Sequence, residues 1–467
     1  MMDVRSEFRK PLTLAFDAAV KYLESLVDAP VCATAASADL QTRLEKSLDA
    51  EGMTADRVIE ELLVDSAGGL TGSAGGRFFA WVIGGSLPAA LAADWLTSAC
   101  DQNAAQFTAS PAAAIVENVA GAWLKDILSL PAEASFAFVT GCQMAHATCL
   151  AAARHGLLAR RSWDVERDGL YGAPRIRVLT SAAHHGSVER AVRLLGMGSA
   201  NIVPLPVESD ERLCAQTLRA ALKADGAAPS IVVLQAGNIN TGTFEDFATL
   251  IPIAKEYGAW VHVDGAFGLW AAASPRMRHL TAGVELADSW ATDGHKMLNV
   301  PYDCGYAFVR DAHAHRSAMF SPAPYIPMMH DSRDPLAWNP EWSRRARGFA
   351  TYAALRELGR NGVAHLVERC CHNAYALTMG IAKLDGAQLL WEPTFNQGLV
   401  AFGDDDTTDA VVSEIVRGGE AFFSATTWRG RRAMRVSVCN WQTTERDVVR
   451  AVRAVADGLR VAAGVAH

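Results

Sequence analysis

Residues Ala259–Gly305 read AWVHVDGAFGLWAAASPRMRHLTAGVELADSWATDGHKMLNVPYDCG. Two short apolar runs in this segment have the composition of buried strands. Ala259–Val263 ends in Asp264-Gly265-Ala266, and Ala287–Thr292 runs into Asp293-Gly294-His295-Lys296. A carboxylate at the C-terminal end of one buried strand, with a lysine just past a nearby one, suits pyridoxal phosphate. The lysine amine forms a Schiff base with the cofactor aldehyde. The carboxylate holds the pyridine nitrogen protonated, which lets the ring accept electrons. A buried aspartate at a strand end needs such a partner. The small residues after it let a flat ring lie against the backbone.

HVDGAFG followed by ADSWATDGHKMLN-P--CG resembles the group II pyridoxal-phosphate-dependent amino-acid decarboxylases, which include the aromatic-amino-acid, histidine and glutamate decarboxylases. The resemblance runs from roughly Phe78 to Val448. It implies an α/β chain of the type I (aspartate-aminotransferase-like) fold. Its parts would be a mainly parallel seven-stranded sheet, an N-terminal helical arm and a small C-terminal α+β domain. The expected divisions are 1–95, 96–342 and 343–467. Lys296 would be the Schiff-base lysine, flanked by His295, with Asp264 on the ring nitrogen and Ala266 against one ring face. The implied reaction is decarboxylation of an L-amino acid to the amine. A homodimer is implied as well.

The flanking pattern agrees with such a fold. Short apolar runs alternate with helical segments after Ala134: strands at Phe136–Val139, Arg175–Leu179, Ile202–Val207, Ile231–Leu234, Trp260–Val263, Asp288–Ala291 and Cys304–Val309. Helices are expected at Cys142–Leu158, Gly186–Leu195, Glu211–Ala224 and Asp246–Tyr257. This alternation means a mainly parallel sheet with its site beyond the strand C-termini. Before it, Ser110–Leu128 reads as an amphipathic helix with Ile115, Val119, Trp123 and Ile127 on one face. Leu12–Leu26 and Leu40–Leu63 are helical but cannot bury enough to form a domain, which fits an arm around a partner subunit. Ser343–His467 mixes a long helix with strand-like runs.

Further site candidates follow from position. The turn Thr140–His146 follows a strand and opens a helix, so its backbone N–H groups suit a phosphate. It resembles the family's phosphate turn, with Cys142, Gln143 and Met144 in the middle. The segment SAAHHGSV resembles one whose imidazole stacks on the cofactor ring; register favours His185 over His184. Thr241, with Asn238 or Asn240, resembles a loop that approaches the ring. Phe78 and Phe79 fit an aromatic pair lining the substrate pocket, and Arg77 is a candidate for a substrate carboxylate. Arg435 is either a second carboxylate ligand or structural, with Asn440 in the same closing motif.

One departure concerns the chemistry. The proline-rich segment Ala318–Trp342 reads as a long loop, and such loops are often lids. In the family a loop tyrosine here returns a proton to the substrate carbon. Its place falls near Asp334-Pro335, where there is none; Tyr325 resembles a different element. Loss of that tyrosine is associated with oxygen-consuming aldehyde formation.

The net charge of −8 over 467 residues argues against nucleic acid or an anionic membrane as partner. Arg344-Arg345-Ala346-Arg347 is a local basic cluster, read as a solvated or ion-paired helix face. The nine cysteines include no CxxC pair, MMDVRSEFRK has no apolar leader, and no metal site is expected; the implied location is the cytoplasm. The alternatives are an aldehyde synthase, aminotransferase or carbon–carbon lyase on the same scaffold, or a silent pyridoxal-phosphate-binding homologue. A nucleotide-binding protein using Thr140–Met144 lacks the GxxxxGK[ST] loop. The amino acid itself is not readable.

Overall fold

The structure is a computed structural model that describes residues 4–324 and 332–464. Tyr325 lies outside the described residues. Two compact units are formed, in place of the three expected divisions. One joins 84–375 with 391–398; the other joins the N-terminal segment to residue 83 with 376–390 and the C-terminal segment from 399. The N-terminal arm therefore shares a unit with most of the C-terminal domain. Hydrogen bonds show why: Val31 N–H donates to Gly419 O at 2.7 Å and Phe79 N–H to Phe422 O at 2.8 Å.

The larger unit is built on a seven-stranded sheet. Its strands are β1 (Ser135–Val139), β2 (Arg177–Ser181), β3 (Ile202–Leu205), β4 (Ser230–Gln235), β5 (Trp260–Asp264), β6 (Ser289–Asp293) and β7 (Gly305–Val309), in the order β1-β7-β6-β5-β4-β2-β3. β7 runs antiparallel to both neighbours, and the other pairs are parallel. β4, β5 and β6 are buried throughout, as apolar strands covered on both faces must be. The helix Cys142–Ala159 contributes thirteen buried residues, many of them alanine, so it lies close on the sheet. The C-terminal ends of β1, β2, β4, β5 and β6 open on one edge.

The helix Pro111–Ile127 buries a different face from the expected one. Ala113, Ala114, Glu117, Ala120, Gly121 and Leu124 go inside with Ile127, while Ile115 is exposed. The small residues permit a close approach: a Cβ on Gly121 would lie 2.4 Å from the Phe136 ring. Glu117 goes inside because Arg344 and Arg333 meet its two oxygens at 2.7 and 3.1 Å. Arg344 is thus no solvated side chain; it also donates to Ala104 O and Phe138 O. Arg345 pairs with Asp94 and Arg347 with Asp303, as the ion-paired reading expects.

The smaller unit carries the helices Val4–Ser25, Ser37–Leu44 and Ala55–Asp65, and a four-stranded sheet. That sheet has β8 (Ala387–Trp391), β9 (Gln397–Phe402), β10 (Ser424–Trp428) and β11 (Arg431–Ser437), ordered β10-β11-β9-β8. Among the described residues no helix is long and apolar enough to cross a membrane.

Candidate active site

A cavity of about 490 Å³ opens where the strands end. Each wall comes from one strand end: Gly141 to Gln143 after β1, His185 to Ser187 after β2, and Gln235, Gly237 and Ile239 after β4. Asp264, Ala266 and Phe267 follow β5, and Asp293, His295 and Lys296 follow β6. Backbone hydrogen bonds fix these ends relative to one another. Ala236 N–H donates to Asp264 O, Gly265 N–H to Ala291 O, and Asp293 N–H to Ala266 O, at 2.8 to 3.0 Å.

Lys296 sits in a tight turn. Gly294 N–H and His295 N–H both donate to Cys304 O, and Cys304 N–H donates back to His295 Nδ1 at 3.1 Å. A Cβ on Gly294 would strike the Tyr306 hydroxyl at 2.3 Å, so glycine is needed there for packing. Lys296 Nζ lies 3.0 Å from Asp293 Oδ2 and 6.0 Å from the Phe267 ring centroid. Burial opposes the ammonium, but Asp293, with Asp264 adding, outweighs it and raises the lysine pKa above its usual range. Asp293 Oδ1 accepts the Cys142 N–H at 2.6 Å and lies 3.4 Å from His295 Nε2. Sequence reasoning gave Asp293 no role; its position three residues before Lys296 was the available signal.

Asp264 is 6% exposed. Burial favours its neutral form, yet His146, His185 and Lys296 bring its pKa below the ordinary carboxylate value. Ala266 N–H donates to its Oδ1 at 3.2 Å. His185 lines the cavity, whereas His184 does not and bonds through Nδ1 to Ser181 O at 2.8 Å. The His185 Nδ1 accepts the Ser187 N–H, so this ring carries its proton on Nε2 when neutral.

Several expected residues take other places. The Cys142 N–H is held by Asp293, and the Met144 N–H bonds to Gly141 O at 3.0 Å while its side chain packs on the core. Of that trio Gln143 remains: its Nε2 is a buried donor without a hydrogen-bond partner among the described residues, at the cavity wall. Thr241 is fully buried and does not line the cavity. Its turn is stapled by Asn238 Oδ1, which accepts the Asn240 and Thr241 N–H groups.

Arg77 is 2% exposed, and its guanidinium donates to Glu420 O, Ala29 O and Leu26 O and pairs with the Glu420 carboxylate. That corrects the substrate-carboxylate expectation, because both terminal nitrogens are already engaged. Phe78 stacks on Phe422 at 4.8 Å and Phe79 on Phe423 at 5.2 Å, at 2% and 0% exposure. Both are core side chains of the smaller unit, not the substrate-lining pair expected. Asn440 is structural too, donating to Ala74 O and Gly75 O. Arg435 is buried, which lowers its pKa to about 10.

The model of the pyridoxal-dependent decarboxylase conserved domain matches residues 38–403. The chain belongs to the pyridoxal-dependent decarboxylase family. Over 329 residues it is 32% identical to tryptophan decarboxylase 1 of Oryza sativa subsp. japonica, a match covering 67% of this chain and 62% of that protein. It therefore spans somewhat less than two-thirds of that relative. It is 27% identical over 360 residues to 4-hydroxyphenylacetaldehyde synthase of Rhodiola rosea, covering 76% and 73%. Among solved structures, Oryza sativa TDC with PLP and tryptamine superposes with a TM-score of 0.91 over 99% of both chains, at 24% identity. The type I fold expected of this decarboxylase-family chain is thereby shown.

The family's cofactor is pyridoxal phosphate, and the residues present fit it. The cavity offers a lysine amine for the aldehyde and an ionised buried carboxylate for a ring nitrogen. It also offers a helix N-terminus with the unmatched Gln143 amide for a phosphate.

Proposed function

We propose that this protein removes the carboxylate of an L-amino acid as carbon dioxide and releases the amine. The observation that carries the reading is the convergence of Lys296 and Asp264 on one cavity, from the ends of two adjacent strands, in a chain of this family. Bound pyridoxal phosphate supplies an aldehyde for amines and a ring that accepts the electron pair left when the carboxylate departs. Lys296 is the amine that would hold the cofactor. Asp264 keeps a proton at the ring nitrogen. Asp293 holds Lys296 Nζ in place and passes rigidity to the turn through Cys142 N–H. Gln143 and the helix N-terminus would hold the phosphate, and Ala266 and the His185 imidazole would flank the ring and keep water from the reacting carbon.

A second reading has its own support. At Asp334-Pro335 the chain forms a buried turn, Pro335–Ala337, pinned by Phe107 N–H on Asp334 Oδ1 at 2.8 Å and Leu336 N–H on Ala105 O at 2.9 Å. That position holds no phenol. Aldehyde formation with oxygen uptake follows if no other group supplies the proton.

The active unit is a homodimer in this reading. Phe8, Leu12 and Phe16 recur every four residues on the first helix and are 65%, 59% and 52% exposed in the single chain, an apolar stripe suited to a second copy. The nine cysteines form no disulfide, which suits the cytoplasm. Carbon dioxide release from a panel of L-amino acids, abolished in Lys296→Ala, tests the function; release that survives the substitution refutes it.

A further inference from the structure

Behind Asp264 lies a row of buried polar side chains that the proposed reaction leaves unused. Trp260, His262 and Asp264 alternate along β5 and so share one face. Ser289 on β6 is the register partner of His262. Cys142 and His146 lie one turn apart on the helix covering that face. Trp260 Nε1 donates to Ser289 Oγ at 2.9 Å, and Ser289 Oγ lies 2.9 Å from His262 Nδ1. His262 Nε2 lies 2.8 Å from His146 Nδ1. His146 Nε2 faces Cys142 Sγ at 3.4 Å and Asp264 Oδ1 at 3.6 Å, and the Cys142 thiol faces the same oxygen at 3.9 Å.

With both rings neutral, the carboxylate end of this row fixes its direction. An indole N–H only donates and an ionised carboxylate only accepts. The Trp260 N–H on Ser289 Oγ leaves the serine hydroxyl free to donate, and a neutral His262 that gives its Nε2 proton to His146 accepts it at Nδ1. His262 then donates from Nε2 to His146 Nδ1, and His146 donates from Nε2 toward Cys142 Sγ and Asp264. The reverse order would aim the His146 lone pair at the carboxylate, a repulsive arrangement in a dry site. Burial agrees with neutral rings: it lowers the His146 pKa and takes that of His262 to about 3. It also raises the Cys142 pKa, so the thiol keeps its proton and donates.

We infer that Trp260, Ser289, His262 and His146 form a one-directional hydrogen-bond relay that aims donors at Asp264 Oδ1, making His146 and His262 positioning residues for Asp264. The relay's effect is to keep that carboxylate ionised and to fix its orientation. The contacts from Ala266 N–H, the Cys142 thiol and His146 all fall on Oδ1. The inference rests on Asp264 being the residue that holds the cofactor ring nitrogen's proton.

Two measurements on the cofactor-loaded protein test it. Long-range proton–nitrogen correlation on histidine-labelled protein, assigned with His146→Gln and His262→Gln, is expected to show both rings as neutral Nε2–H tautomers between about pH 6 and 8. An Nδ1–H tautomer or a charged ring at either position overturns the relay. The second measurement uses 15N-labelled pyridoxal phosphate. Its ring nitrogen resonance is expected at the protonated position in the wild type and in His146→Gln, which keeps a donor near the Nε2 site. In His146→Leu it moves toward the unprotonated position, and kcat falls about tenfold with KM little changed. An unmoved resonance in His146→Leu, or equal loss in both variants, overturns the proposal. If the wild type releases no carbon dioxide from any amino acid, the decarboxylase reading fails, while both resonance measurements still decide the relay.

Discussion

Replacing Asp293 by asparagine perturbs the charge state of Lys296. Lys296 Nζ and Asp293 Oδ2 are 3.0 Å apart. At that distance an effective dielectric of about 20 gives an attraction of about 5 kcal/mol. The asparagine oxygen still accepts the Cys142 N–H and returns part of the attraction, leaving a net loss of about 3 kcal/mol. At about 1.4 kcal/mol per factor of ten, the uncharged amine fraction at pH 7 rises roughly 100-fold. The folded-state pKa of Lys296 is raised, so the stability this pair contributes is fully present at neutral pH. It is lost only in strong alkali, as pH passes through the folded value. Asp293→Asn therefore destabilises the cofactor-free protein at neutral pH yet speeds capture of an aldehyde by Lys296. The assay mixes cofactor-free protein with pyridoxal across a pH series, quenches with borohydride, and quantifies modified Lys296 by mass spectrometry. A rate and pH profile identical to wild type would refute the role given to Asp293.

Two further perturbations probe the scaffold. Glu117→Gln leaves two guanidinium groups facing a neutral amide and should destabilise the protein by about 3–5 kcal/mol, read from the urea midpoint; a change within experimental error would mean the cluster contributes nothing. His315 is buried between Ser135 Oγ and Trp338 O, and burial, with Arg333 adding, lowers its pKa to about 3. The unfolded chain takes up a proton that the folded ring refuses. Stability therefore falls by about 1.4 kcal/mol per pH unit for this group as pH drops below about 6.5. His315→Gln should flatten the acid side of a Tm–pH profile, and an unchanged slope would contradict this.

The sheet, and the meeting of several expected residues at one cavity, were readable because each depends on local pattern. Apolar runs bounded by turns located β1 to β7 within a few residues, although Arg175–Leu179 lies two residues before the observed Arg177–Ser181. Lys296, Asp264, Ala266 and His185 converge on one cavity because each sits at or just past a strand end, which sequence shows directly. Arg77, Phe78, Phe79 and Thr241 were misplaced for a different reason. The contacts of Arg77, Phe78 and Phe79 are with residues far away in sequence, such as Glu420, Phe422 and Phe423, and a local motif carries no information about those partners; Thr241 is instead turned inside its own loop, where Asn238 accepts its N–H. The helix Pro111–Ile127 failed similarly: hydrophobic spacing favoured Ile115, but Phe136 and Arg344 on other elements selected its small residues and Glu117. His146 and His262 were visible as letters only. Their meaning required the register that sets Ser289 beside His262.

Product analysis tests the central claim most directly. Purified, cofactor-loaded wild type and Lys296→Ala are incubated with a panel of L-amino acids while carbon dioxide, amine, aldehyde and oxygen are followed. Carbon dioxide with amine and no oxygen uptake from at least one amino acid, absent in Lys296→Ala, is the predicted result. Aldehyde with oxygen uptake would select the second reading and make the turn at Pro335 the determinant of the chemistry. No carbon dioxide from any amino acid, or release undiminished in Lys296→Ala, would contradict the account.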